Sequence, residues 1–284
     1  MKIKKNNINE TPDSFSGLLG GFVAEMVSEV SIFGDIEQGN LSKERFSKKY
    51  NFLERATLDD IKNKSNFTPL MWAIYHNKKD YVKVLIDLGA DINQIINIQL
   101  AYRGFYGKKS VSIPSSSINK SNWIKYEGQH TPLILAIQCG YNGIFNLLLE
   151  NNPDIHKLVY NEGGVHMPSS VEEEFYGINA FSYAVIFERV EMVQNLIRHC
   201  QTSEEKKRML NQKTDDFFAY SMLDDAIFSG GYPLFYAIRS SGDFEVLKVL
   251  LANQIDTSIN ISLSEDPITN LFSSFDSSVI NEVI

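Results

Sequence analysis

The sequence predicts an all-α solenoid: helix pairs stacked in one dimension, with long loops inserted between the pairs. Two observations carry that reading. A short pattern of a polar residue, a proline or small residue and an apolar run occurs four times. Each return is followed by a brief polar turn and a second apolar segment. Self-similarity at intervals of tens of residues marks an architecture in which each unit buries its apolar face only by stacking on its neighbours.

The composition fits such a stack. The chain has 284 residues, with 43% hydrophobic, 22% charged and 12% aromatic residues, which is the globular range. The net charge of −8 and a sequence pI near 5.2 argue against binding nucleic acid by phosphate neutralisation. Two cysteines, Cys139 and Cys200, are too few for a disulfide framework and suit a reducing compartment. The basic start Met1–Lys5 is followed by a polar stretch, and the next apolar run carries Glu25 and Glu29, so a signal peptide is not expected. No run approaches the ~18 uncharged apolar residues of a membrane span, so a soluble cytoplasmic chain without membrane insertion is the expectation.

Taken in order, the first element is a helix. Phe15, Leu18, Leu19, Phe22, Met26, Val30 and Phe33 recur at steps of three and four, and Thr11-Pro12 supplies a cap and a first-turn proline. Its polar face carries Glu25 and Glu29 and no lysine, which suits packing on the body of the protein rather than a membrane surface. Phe46–Ala56 with Leu58–Asn63 reads as the end of a worn repeat. Together these predict a helical cap over residues 1–60.

The clear copies follow. Thr68-Pro69-Leu70-Met71-Trp72-Ala73-Ile74 returns as Thr131-Pro132-Leu133-Ile134-Leu135-Ala136-Ile137, as Asn179-Ala180-Phe181-Ser182-Tyr183-Ala184-Val185 and as Tyr232-Pro233-Leu234-Phe235-Tyr236-Ala237-Ile238. Thr-Pro opens a helix: the hydroxyl takes a free backbone N–H, and proline stands where no N–H partner is needed. The alanine lets two helices approach closely. The second helices begin at Tyr81, Ile144, Met192 and Val246, and Gly89 fits the left-handed residue that ends one of them.

The pattern resembles the ankyrin repeat, whose core is T-P-L-H-x-A in a unit of about 33 residues. The resemblance runs from about residue 60 onward and is closest over Thr68–Asn93, which ends in Gly89-Ala90-Asp91-Ile92-Asn93. The histidine of the family core is replaced by Met71, Ile134, Ser182 and Phe235. In the family that histidine makes local hydrogen bonds between neighbouring units, so a less regular stack is implied.

Spacing shows where the chain departs from the family. The copies start 63, 48 and 53 residues apart, which leaves roughly 30, 15 and 20 residues beyond one unit. These fall between repeats, as enlarged fingers at residues 94–125, 157–173 and 201–226. Four repeats over 61–260 are expected. Asp266–Phe272 and Val279–Ile284 then read as a partial fifth repeat over 261–284 that stops inside its second helix.

Candidate chemistry is sparse. Cys139 and His76 occupy equivalent positions in successive repeats, about 8–10 Å apart, too far for a nucleophile and its base, which must meet within about 3 Å. His130, His156, His166 and His199 have no zinc-ligand spacing. Glu162-Gly163-Gly164-Val165-His166 lacks the lysine of a phosphate loop, and Glu172-Glu173-Glu174 reads as a solvated run. No catalytic, cofactor or metal site is expected.

Binding is the function the pattern points to. The exposed positions after each alanine form a ladder: Tyr75 and His76, Gln138 and Cys139, Ile186 and Phe187, Arg239 and Ser240. The resemblance implies that these concave positions and the finger tips meet a protein partner. The insertion Leu100–Lys109 holds Tyr102, Arg103, Phe105 and Tyr106, residue types that interfaces favour. Either these rings meet a partner or the loop folds back and buries them. The insertions and the Asn-, Ile- and Lys-rich character are similar to ankyrin proteins of intracellular bacteria, many of which are delivered into host cells as effectors. That similarity implies a host protein as partner. The alternative is a targeting module for an enzyme whose catalytic domain lies beyond residue 284.

Overall fold

The computed structural model describes residues 32–53, 55–102, 112–114, 124–159, 177–213, 217–218, 227–228, 232–238 and 244–257. Two rows of helices make up the stack. The inner row is α4 (Pro69–Tyr75), α6 (Pro132–Cys139), α8 (Ala180–Ile186) and α11 (Pro233–Ile238), each packed on the next. The outer row is α2 (Lys43–Tyr50), α5 (Lys79–Asp87), α7 (Asn142–Leu149), α9 (Val190–His199) and α12 (Glu245–Ala252), also in sequence.

The residues that announce the helices in the sequence start them in the structure. Thr68 Oγ1 accepts from Met71 N–H and Thr131 Oγ1 from Ile134 N–H. In the degenerate third copy Asn179 Oδ1 replaces the hydroxyl and accepts from Ser182 N–H at 2.9 Å. Ala73, Ala136, Ala184 and Ala237 are fully buried, so a larger side chain at any of them would push the inner row apart. Gly89 takes φ +95° at the end of α5, the left-handed conformation that glycine adopts without a Cβ penalty. Met71, Ile134 and Ser182, which replace the histidine of the family core, are buried. Two of them extend the apolar core; the Ser182 hydroxyl is buried with no hydrogen-bond partner among the described residues.

A further helix pair precedes the first clear copy. α1 covers residues 32–38 among the described residues, and Gly39 (φ +66°) turns the chain toward α2. Trp72 Nε1 donates to Phe33 O at 3.1 Å, tying α1 to α4. Phe46 of α2 stacks on Tyr81 of α5, with ring centroids 4.3 Å apart, and the Tyr81 hydroxyl donates to Leu41 O and accepts from Leu41 N–H. The short α3 (Arg55–Asp60) then leads into α4. Residues 1–31, with the amphipathic stripe from Phe15 to Val30, lie outside the described residues.

The described residues of the first insertion form a three-stranded antiparallel sheet, β1 (Ile96–Tyr102), β2 (Ser112–Pro114) and β3 (Ile124–His130), in the order β2-β1-β3, an addition to the all-α expectation. β1 and β3 pair over seven residues, from Ile96↔His130 to Tyr102↔Ile124. The last strand runs past residue 125 to the residue before the Thr131 cap. The second insertion begins with an antiparallel bridge, Val159↔Ile178, and the third holds β4 (Phe217–Phe218), which pairs with β5 (Ile227–Phe228) just past its end. Pairing at the base brings the two ends of the first and second insertions together, so extra length is accommodated without disturbing the helix rows. The third insertion also contains a helix, α10 (Ser203–Asn211). It is opened by a capping box: Thr202 Oγ1 accepts from Glu205 N–H, and Glu205 accepts from Gln201 N–H. The partial fifth repeat, residues 261–284, lies outside the described residues.

Candidate interaction surface

The turn from inner to outer helix has one geometry in three successive copies. Asn77, Gly140 and Glu188 take positive φ (54°, 73° and 53°). The next residue's N–H reaches back to the conserved-position alanine: Lys78 to Ala73 O (2.8 Å), Tyr141 to Ala136 O (3.1 Å) and Arg189 to Ala184 O (2.8 Å). This is the Schellman pattern, which satisfies carbonyls that the end of a helix leaves open. It places Tyr75 and His76, Gln138 and Cys139, and Ile186 and Phe187 at matching points of α4, α6 and α8.

The residues after the second and third positive-φ positions also reach the preceding copy. The Tyr141 hydroxyl donates to Tyr75 O at 3.4 Å. Arg189 donates through Nε to Ile137 O at 3.2 Å and through Nη2 to Gln138 O at 3.1 Å. Its guanidinium lies over Gly140, where a Cβ would sit 3.0 Å from the guanidinium carbon. Burial lowers the pKa of Arg189, with Cys139 acting against the shift.

A family comparison covers the first two of these turns: residues 65–97 and 129–158 match the ankyrin repeat. These two stretches are ankyrin repeats. They contain α4 with α5 and α6 with α7, and so Tyr75, His76, Gln138 and Cys139. The α8–α9 pair lies outside the matched residues but has the ankyrin-type turn, cap and buried alanine described above. No curated protein matches the chain.

Within the first ankyrin repeat, Tyr75 and His76 join an aromatic cluster. Tyr75 is half-buried and stacks on Trp72, with centroids 5.7 Å apart and 18° between planes; Phe67 meets it edge-on at 5.6 Å. The His76 ring meets the edge of Trp72 at 4.4 Å. Burial lowers the His76 pKa; Glu37 opposes the shift and Lys78 adds to it. His76 Nε2 is buried and has no hydrogen-bond partner among the described residues.

In the second ankyrin repeat, Gln138 is held from behind. His130, at the end of β3, is fully buried, with Nδ1 2.9 Å from Gly128 O and Nε2 2.6 Å from the Gln138 side-chain amide. Burial lowers its pKa, so the ring is neutral and carries one proton. The Gln138 atom facing Nε2 is Oε1 and the atom facing Nδ1 is Gly128 O, and both oxygens only accept, so the single proton of the neutral ring serves one of them. The sheet of the first insertion therefore sets the rotamer of a ladder residue. Cys139 is half-buried, and burial pushes its thiol up to about 12, with Arg189 acting against the shift. At neutral pH it is a thiol and not a nucleophilic thiolate.

Further along, Ile186 and Phe187 are half-buried, and Phe187 stacks in parallel on buried Tyr183 at 5.9 Å. Tyr183 in turn lies 6.3 Å from the His130 ring. The structure thus brings Gln138, His130, Tyr183 and Phe187 into one connected group, with Tyr75 and His76 in a second. Tyr102 ends β1. Arg239, Ser240, Arg103, Phe105 and Tyr106 lie outside the described residues. The sequence reading overlooked Tyr141, Arg189 and His130 as parts of this surface. The signal for the first two is positional: each follows the turn residue of its copy.

Among the described residues no helix is long and apolar enough to cross a membrane, and no group of three metal-ligating side chains occurs.

Proposed function

We propose that the chain is a rigid scaffold that binds a protein partner along its inner face. One observation carries the reading: three successive turns repeat the same backbone hydrogen bonds, so Tyr75/His76, Gln138/Cys139 and Ile186/Phe187 form a preordered row. A preordered surface loses little conformational entropy on association. Ankyrin repeats are interaction modules, which supports binding over catalysis, and the thiol chemistry of Cys139 agrees.

In this reading residues 1–60 close one end of the stack, the insertions at 94–125, 157–173 and 201–226 stand out beside the inner face, and 261–284 add a partial fifth unit. Arg239 extends the row. Tyr102, Arg103, Phe105 and Tyr106 contribute from the first insertion. The similarity to ankyrin proteins of intracellular bacteria makes a host-cell protein the partner to seek first, after delivery by a secretion system.

Alanine substitutions at Tyr75, His76, Ile186 and Phe187, in a chain that still melts cooperatively, test the assignment. Loss of a captured partner supports it; capture of the same partners at the same yield removes the inner face from the account. A translocation reporter fused to the chain tests the delivery reading, and retention of the reporter in the producing cell counts against it.

A further inference from the structure

The geometry of the inner-face turns recurs one step upstream of the first ankyrin repeat, on α1. Gly39 (φ +66°) stands where Asn77, Gly140 and Glu188 stand in the later turns. Lys78, the residue after Asn77, lies over Gly39, where a Cβ would sit 3.0 Å from the lysine Cε. Arg189, the residue after Glu188, lies over Gly140 in the same way. One difference accompanies the match. The Gly39 N–H donates to Asp35 O, and Asp35 stands where the later copies have the buried alanine. Its carboxylate accepts from the Tyr50 hydroxyl and from Lys49 Nζ, both at 2.6 Å, and so is held on α2.

Counted back from the turn, Glu37 and Gln38 are the counterparts of Tyr75 and His76, of Gln138 and Cys139, and of Ile186 and Phe187. Both are exposed, whereas the ladder residues that follow are half-buried. Neither Glu37 nor Lys78 makes an ion pair among the described residues. α1 is fixed against the next inner helix by the Trp72 Nε1 bond to Phe33 O. The Trp72, Tyr75 and His76 rings therefore stand beside Glu37 in a set position. Two charges act on the His76 ring, Glu37 and Lys78, and the carboxylate has the larger effect. The upstream end of the row thus offers an exposed anion next to half-buried aromatic rings, and both attract a cation.

We propose that the interaction surface extends onto α1, and that Glu37 with Tyr75 and His76 receives a lysine or arginine side chain of the partner protein. The inference rests on the interaction-scaffold reading and names the partner's chemistry. A basic side chain suits the place because its apolar stem covers ring surface while its charge meets the carboxylate. Neighbouring ladder points are about 8–10 Å apart, so the three steps from Glu37 to Phe187 span about 24–30 Å. A partner segment with its basic residue at one end and apolar side chains toward the other meets Glu37, Tyr75, Ile186 and Phe187 together.

The test uses the immobilised full chain and a random-sequence peptide library displayed on phage, selected at physiological ionic strength. The expected result is that the wild type enriches peptides that combine lysine or arginine with aromatic or apolar residues. E37Q lowers recovery of those peptides at least fivefold, and selection on E37K replaces their basic residue with aspartate or glutamate. E44K, which reverses an exposed carboxylate on α2, leaves recovery unchanged and controls for overall charge. A pool without basic enrichment, recovery that E37Q leaves intact, an E37K pool that keeps the basic residue, or an equal loss on E44K overturns the proposal. The inner-face reading fails separately, through recovery that I186A/F187A leaves unchanged. Thermal melts of all variants show that the substitutions leave the fold intact.

Discussion

The backbone N–H of Asp154 donates to Asn93 Oδ1 at 2.8 Å, across 61 residues of sequence. Asp91 N–H donates to Asp59 Oδ1 at the same distance, across 32 residues. Asp256 N–H donates to Asn211 Oδ1 at 3.0 Å. The closing turns after α5, α7 and α12 are thus each fastened to an acceptor upstream, across 32 to 61 residues of sequence. Asn93 N–H itself donates to Asp91 Oδ1, which fixes the turn that presents the acceptor.

Asn93→Ala removes the acceptor and leaves Asp154 N–H to water, at a cost of about 1 kcal/mol. Asn93→Asp keeps an oxygen in place and retains most of the stability. Urea unfolding of the two variants checks this, with the larger midpoint shift expected for alanine.

Gly140→Ala costs about 1–2 kcal/mol, because a Cβ is disfavoured at φ +73° and meets the Arg189 guanidinium. The Arg189→Ala background removes the close contact but not the backbone term. The glycine substitution should therefore cost less there, and a double-mutant cycle of unfolding free energies reads the difference.

His76 and His130 both have pKa values lowered by burial from the ordinary 6.5. The unfolded chain binds more protons than the folded chain just below that value, so stability rises with pH there. Full stability is present above pH 6.5 and is lost as the pH falls toward the folded-state values. Melting temperatures should be flat above about pH 7 and decline between pH 6.5 and 5, before carboxylates with an ordinary pKa of 4.5 begin to titrate. His130→Gln should flatten part of that slope.

The thiols of Cys139 and Cys200 are pushed up to about 12 and about 11, in both cases chiefly by burial. Iodoacetamide at pH 7.5 should alkylate both far more slowly than free cysteine, since only the thiolate reacts. Mass spectrometry of the intact chain over time measures the rates. Modification of Cys139 at the rate of a free thiol would contradict the packing of α6 against Arg189.

The helix pairs were legible in the sequence because their signals are local. Thr68, Thr131 and Asn179 cap the helices they precede, and the alanines at 73, 136, 184 and 237 are buried. The sheet in the first insertion was not read, although Ile96, Ile98, Leu100 and Tyr102 alternate at the strand period of two. The copies start 63, 48 and 53 residues apart around helix pairs of similar length, so the repeat defines the insertion by its length alone. α10 was missed for a similar reason: its capping box, Thr202 with Glu205, lies inside a stretch defined only as extra. Of the candidate surface, the ladder positions followed from the repeat itself. Arg189 and Tyr141 could not be separated from ordinary polar turn residues until their contacts to Ile137 O, Gln138 O and Tyr75 O were seen.

The central claim is that the preordered inner face binds a protein. The most direct measurement is quantitative capture from cell lysate on the immobilised chain, comparing the wild type with an I186D/H76D variant of matched thermal stability. The account predicts at least one protein enriched by the wild type and lost from the variant. Indistinguishable captured proteins at equal yield would contradict it.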